Sequence, residues 1–246
     1  AIAVAIAELE RCGIPDERQT LLVAGGLGRR FAQHDLERLL SPPQARSFRG
    51  RVVVHDTEDE ALVPIGDGVR ANPALVETDL VITVTAAETI LHGGPGALVA
   101  ACDAETVRAA AGAESLLEAS GSPVWNLALS IEAALAERVE LAGVSLVLDL
   151  PRLTGRYRGY PNDPGVVARV ASSRFRAVFS MLPDSLRSDI LSRQGRRMAA
   201  TGAFAGRPSV AHAEALVRGV ARRGVQLEEQ VDALVVGVPW IGPHIP

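Results

Sequence analysis

Two arginines beside a glycine turn, and a histidine beside a glycine loop, are where this sequence could do chemistry. Arg29 and Arg30 follow Gly25-Gly26-Leu27-Gly28. Their planar guanidinium forks suit a carboxylate or phosphate, and the bare backbone at Gly28 would let a ligand come close. Solvated loop charges are the plainer use of the same arginines. His92 stands four residues after Glu88 and directly before Gly93-Gly94-Pro95-Gly96. A neutral imidazole there could act as a base or bind a metal. Glu88 could pair with His92 or with Arg29, and Gly93, Gly94 and Gly96 could bring backbone amides up to a cofactor. No metal site is expected, because His34, His55, His212 and His244 form no HxxxH or HxH spacing with His92 or with one another. The first glycine turn does not complete a dinucleotide fingerprint either: counted from Gly26, the third glycine of GxGxxG falls on Phe31.

These residues need strands to hold them. Asp79 to Val84 is a short, β-branched, nearly continuous apolar run, the pattern of a parallel strand covered on both faces. Glu88 and His92 follow its carboxyl end, where open α/β sheets bind ligands. Thr20 to Ala24, Arg51 to His55, Val144 to Leu148 and Val231 to Val238 read as further strands. Helices are expected from Ile2 to Leu9, ended by Gly13 and Pro15, then over His34 to Leu40, Ala104 to Ala111 and much of Val166 to Arg197. Ser122-Pro123 has the N-cap and N1-proline form and opens a helix to about Ala136. Pro208-Ser209 opens another, with Val210, Ala213, Val217 and Val220 as its apolar face. Arg152 to Asp163 reads as an exposed loop. Strands alternating with helices predict an α/β fold of two layered domains, with mainly parallel sheets and a cleft between them. The composition changes at Glu137-Arg138-Val139-Glu140, so the expected domains are 1–140 and 141–246. The abrupt ends read as those of a fragment, with a strand missing before the first helix.

Composition narrows the function. The chain has 246 residues, 48% of them hydrophobic, enough for a sizeable core, and a net charge of −4 gives no electrostatic reason to expect nucleic acid. No apolar run approaches the roughly 20 residues of a membrane helix, so no membrane is expected as a partner. Two distant cysteines, Cys12 and Cys102, without a CxxC pattern, fit a reducing cytoplasm. All 25 basic residues are arginine. Without lysine, neither a Schiff base nor a lysine adduct can come from this polypeptide.

The order of motifs resembles the nickel-dependent lactate racemase family over nearly the whole chain. The segments that carry the resemblance are GGLGRRF with DLERLL, VVVHD, LVPIG, ANPALVETDLVITV, the glycine loop, and GRPSVAHAEAL with DALVVGVP. Val52 to Asp56, Asn72 to Val84 and Pro208 to His212 are the most specific of them. The resemblance implies two α/β domains with an active site between them. It also implies a nickel pincer nucleotide tethered to a lysine, a histidine ligand to nickel, and two histidines exchanging the α-proton or hydride of a 2-hydroxy acid. The histidine of the family's G-T-H-R-P turn falls on Gly28 and its arginine on Arg29. In the E-P-H loop Glu88 matches, and the histidine falls on Ile90 or, with a shift, on His92. The histidine of a later N-H pair falls among Ala109 to Ala111, and the anchoring lysine has no counterpart.

From this resemblance the expected function is a lactate-racemase-like isomerase of a small 2-hydroxy acid. Its catalytic groups would be His92 and Glu88, with Arg29, Arg30 and Gly28 on the substrate. The alternative is an inactive relative that binds a small acid or nucleotide as a sensor or partner module. No covalently bound nickel cofactor is expected in either case, and the expected partner is a small carboxylate.

Overall fold

A computed structural model describes residues 1–24, 39–40, 42–87, 93–110, 122–148, 158, 163–171 and 200–223. The chain divides into two compact units. One comprises Ala1–Val147 with Gly202–Pro246, and the other Leu148–Thr201. The described part of the second unit is mainly one helix, α6 (Pro164–Ala171), whose amino end is capped by the Asp163 carboxylate accepting from the Gly165 and Val166 amides.

In the first unit, helix α1 (Ile2–Arg11) leads to strand β1 (Thr20–Val23). After a short helix, α2 (Pro42–Ser47), comes β2 (Arg51–Val54), parallel to β1 with Thr20 opposite Arg51 and Val23 opposite Val54. Next is an antiparallel hairpin, β3 (Val63–Gly66) and β4 (Val69–Ala71). Its turn places Asp67 at φ 49° and Gly68 at φ 78°. Positive φ at both central residues is the geometry that Asp-Gly favours in two-residue hairpins.

Strand β5 (Leu80–Ala86) is followed by helices α3 (Gly96–Val99), α4 (Ala104–Ala110) and α5 (Pro123–Ala136), and then by β6 (Glu140–Leu148). As expected, Ser122 caps α5, its hydroxyl accepting from the Trp125 amide, with Pro123 in the first turn. Val124, Ala128, Ile131 and Leu135 recur at helical spacing on the buried side of α5. The last three of them meet Ile65, Ala71, Leu98 and Cys102 in the main core. Beside that core, His55 Nε2 donates to the Cys102 carbonyl at 2.7 Å, and His55 Nδ1 faces the Asn72 side-chain amide at 3.3 Å. The Cys102 thiol is fully buried, and desolvation first, then the neighbouring Asp103, pushes its pKa up to about 12. Cys12 is exposed.

The α/β class stands, with parallel pairing in two of the sheets and an antiparallel hairpin as the third. The allocation of strands needs correcting. The expected domains put the strands at Thr20, Arg51 and Asp79 in one sheet and those at Val144 and Val231 in another, Val231 lying outside the described residues. Instead β5 and β6 pair in parallel from Leu80 opposite Glu140 to Ala86 opposite Leu146, and β7 (Ala200–Gly206) adds on the other side of β6. Among the described residues β1 and β2 form their own pair. The charged run at 137–140 lies between the end of α5 and the start of β6. Its Arg138 donates to the carbonyls of Pro64 and Ile65, tying the end of α5 to the hairpin.

The last described element, α7 (Pro208–Arg223), also faces the opposite way from expectation. Ala211, His212 and Ala215 are buried, while Val210, Val217 and Val220 are 55%, 72% and 66% exposed. The close approach of helix to sheet is the cause. A Cβ on Gly143 would stand 2.6 Å from the Pro208 Cα, so the start of α7 lies against β6 with no room for a side chain at 143. The start of α7 is held by Glu132 of α5, itself buried. The Glu132 carboxylate accepts from the Ser209 amide and hydroxyl, both at 2.9 Å, and lies 3.5 Å from Arg207 Nε.

Candidate functional site

The region to build is the carboxyl end of the parallel pair β5 and β6. Residues alternate in direction along a strand, so Thr83 and Thr85 share one face of β5, opposite Gly143 and Ser145 of β6. That face lies beneath the first turns of α7. There Ser145 Oγ is 3.3 Å from His212 Nδ1, and Thr85 Oγ1 is 3.0 Å from Ser145 Oγ. Trp125 of α5 stacks against the His212 ring with centroids 6.2 Å apart. Among the described residues Thr83 Oγ1 has no hydrogen-bond partner, and it is buried there.

Beyond β5 the chain reaches Gly93 and Gly94, at φ 116° and 52°. Both conformations favour glycine, and packing demands it a second time. A Cβ on Gly93 would lie 2.7 Å from both the Ala86 carbonyl and His212 Cε1, and one on Gly94 would lie 2.3 Å from His212 Cβ. The Gly94 amide donates to Thr85 Oγ1 at 2.8 Å, the Gly96 amide to the Gly93 carbonyl at 2.9 Å. Gly96 then begins α3.

Of the residues singled out from sequence, Gly93, Gly94 and Gly96 are brought to this strand end. Gly28, Arg29, Arg30, Glu88 and His92 lie outside the described residues. Thr85, Ser145 and His212 had no place in the expected site. One signal for Thr85 was available in the sequence, since Thr83 and Thr85 recur at every second position on an otherwise apolar strand.

The nickel nucleotide that the resemblance implies does not fit the groups described at this strand end. The side-chain volume missing at Gly93 and Gly94 is filled by the protein's own imidazole, and the Gly94 and Gly96 amides are spent on internal bonds. Among the described residues no three His, Cys, Asp or Glu side chains come together as a metal site, and the chain has no lysine amine to form the tether. No helix in the described residues is long and apolar enough to cross a membrane.

No family model matches the chain, and no curated protein matches it. Among solved structures it is similar to a Thermotoga maritima protein from a structural genomics consortium, at 14% identity and a TM-score of 0.50 over 89% of this chain and 50% of that one. It is also similar to the lactate racemase apoprotein from Thermoanaerobacterium thermosaccharolyticum, at 14% identity and a TM-score of 0.46 over 81% of this chain and 40% of that one. This chain thus spans half or less of each. The Thermotoga maritima likeness, at this identity, is one of fold.

Proposed function

We propose that the chain is a divergent lactate-racemase-like protein that acts as an isomerase on a small 2-hydroxy acid at the carboxyl ends of β5 and β6. One observation carries the placement. The described residues on either side of 88–92 are both held at that strand end: Ala87 donates its amide to Leu146, and Gly94 donates to Thr85. Chain continuity therefore supports Glu88 and His92 as neighbours of the crevice where open α/β sheets bind ligands. In this reading Arg29, with Arg30 and Gly28 beside it, receives the substrate carboxylate. His92 takes the α-proton from one face, the planar intermediate turns over in the site, and the same imidazolium returns the proton to the other face, with Glu88 orienting the ring. The motif order of the whole chain supports the substrate class.

A second reading, binding without turnover, is favoured by a specific feature: glycine stands at position 28 where the family has a catalytic histidine, and lysine is absent throughout. One experiment separates the two. The protein is incubated with L-lactate and with D-lactate, the enantiomers are followed by chiral chromatography, and binding is measured by calorimetry. Intact mass and metal analysis are run on the same sample. Interconversion lost in His92→Ala supports the isomerase. Binding lost in Arg29→Ala, without interconversion, supports the second reading. Absence of both binding and conversion overturns the assignment, and a stable adduct of nucleotide size would overturn the loss of the tethered cofactor.

A further inference from the structure

Three side chains that the proposed chemistry does not use form a continuous hydrogen-bonded line through the interior. It runs from the Gly94 amide to Thr85 Oγ1, on to Ser145 Oγ and then to His212 Nδ1, at 2.8, 3.0 and 3.3 Å. Thr85 and Ser145 stand opposite each other in the β5–β6 register, so the line crosses between strands at a fixed point. Its polarity follows from its first member. An amide can only donate, so Thr85 Oγ1 accepts there. The Thr85 proton is then directed to Ser145 Oγ, and the Ser145 proton to Nδ1 of His212. In the reverse polarity Thr85 Oγ1 would accept twice, and its proton would have no acceptor among the described residues. Ser145 is 1% exposed and His212 is fully buried, so the choice is made in a dry interior where an unmade bond is costly.

We infer that His212 is held as the neutral tautomer with its proton on Nε2, and that through Ser145 and Thr85 it is a positioning residue for the Gly93-Gly94 turn. The imidazole fixes the turn in two ways. Its volume admits only glycine at both positions, and the line that reaches it through Ser145 and Thr85 holds the Gly94 amide. The bond made at Nδ1 decides which nitrogen carries the proton. The turn closes the segment that carries Glu88 and His92, so the relevance of this device to a ligand rests on the small-acid reading. The device itself does not.

The test uses the full chain without ligand. Nitrogen-15 NMR of histidine-labelled protein should show His212 with an unprotonated Nδ1 and a protonated Nε2, and Ser145→Ala should lose that fixed signature. Thr85→Val should speed hydrogen exchange at Gly94 roughly tenfold, the equivalent of one ordinary hydrogen bond, with exchange in β1 and β2 unchanged. Thr85→Ser should restore the wild-type rate. A proton found on Nδ1, or a Gly94 exchange rate that Thr85→Val leaves unchanged, overturns the inference. If Thr85→Val does not fold, the tautomer in the wild-type protein decides. A separate calorimetric titration with L-lactate reports on the small-acid reading alone, since its failure would leave the tautomer and exchange results standing.

Discussion

At the scale of single residues, the glycine turn gives the sharpest expectation. An alanine at 94 must enter a left-handed conformation and meet the His212 Cβ at 2.3 Å, so Gly94→Ala should cost about 2–4 kcal/mol in denaturant unfolding. Gly206→Ala is the control. Nothing lies within 4 Å of its new methyl group, and its stability should stay within about 0.5 kcal/mol of wild type. Asp103 sets a pH dependence. Burial raises its pKa, but bonds from the Thr106 amide, the Arg70 amide and the Thr106 hydroxyl outweigh this and hold it below the ordinary carboxylate value. A lowered native pKa contributes stability that is fully present above the ordinary carboxylate range and is lost as the pH falls through the native value. Urea titrations should therefore show the advantage of wild type over Asp103→Asn shrinking on acidification. An advantage that grew would contradict the assignment. The interior line itself was hardly legible in the sequence. Thr85, Ser145 and His212 are joined only by a strand register and a helix packing, neither of which leaves a local pattern.

At the scale of elements, legibility depended on whether the signal was local. Ser122-Pro123 announced α5 because the cap and the restricted proline act within one turn. Asp67-Gly68 is an equally local hairpin signal, and β3 and β4 could have been read from it. For α7, periodicity identified the helix and misjudged its buried side. The valine stripe is more hydrophobic, but the start of the helix lies against Gly143 and turns Ala211, His212 and Ala215 to the buried side. Two substitutions check this. Ala215→Leu forces three extra carbons into a site with no exposure and should destabilise by about 1–3 kcal/mol in thermal unfolding. Val217→Glu, on the 72% exposed side, should change stability by less than about 0.5 kcal/mol. The reverse order would mean that α7 packs by its valines after all.

At the scale of the whole molecule, fold class was legible from the alternation of strands and helices, whereas sheet membership was not. Strand pairing is decided by contacts between residues some sixty apart, such as Thr85 with Ser145, and a change of composition cannot report on those. The arrangement of units carries its own expectation. The second unit leaves the sheet after β6 and returns at β7, and a Cβ on Gly202 would lie 3.7 Å from the Val147 Cβ, so the exit and the return are side by side. Replacing residues 149–199 by a short glycine–serine linker should leave a first unit that still melts cooperatively by circular dichroism. Loss of the transition would show that the second unit is needed for folding. The contrast between the two cysteines has a practical use. Cys12 is open to solvent, whereas Cys102 is sealed in the core with its thiol kept protonated. A thiol reagent added to native protein should consume one equivalent at once and the second only as fast as the core opens. The slow phase is then a clock for spontaneous unfolding, read in plain buffer without heat, denaturant or an added label.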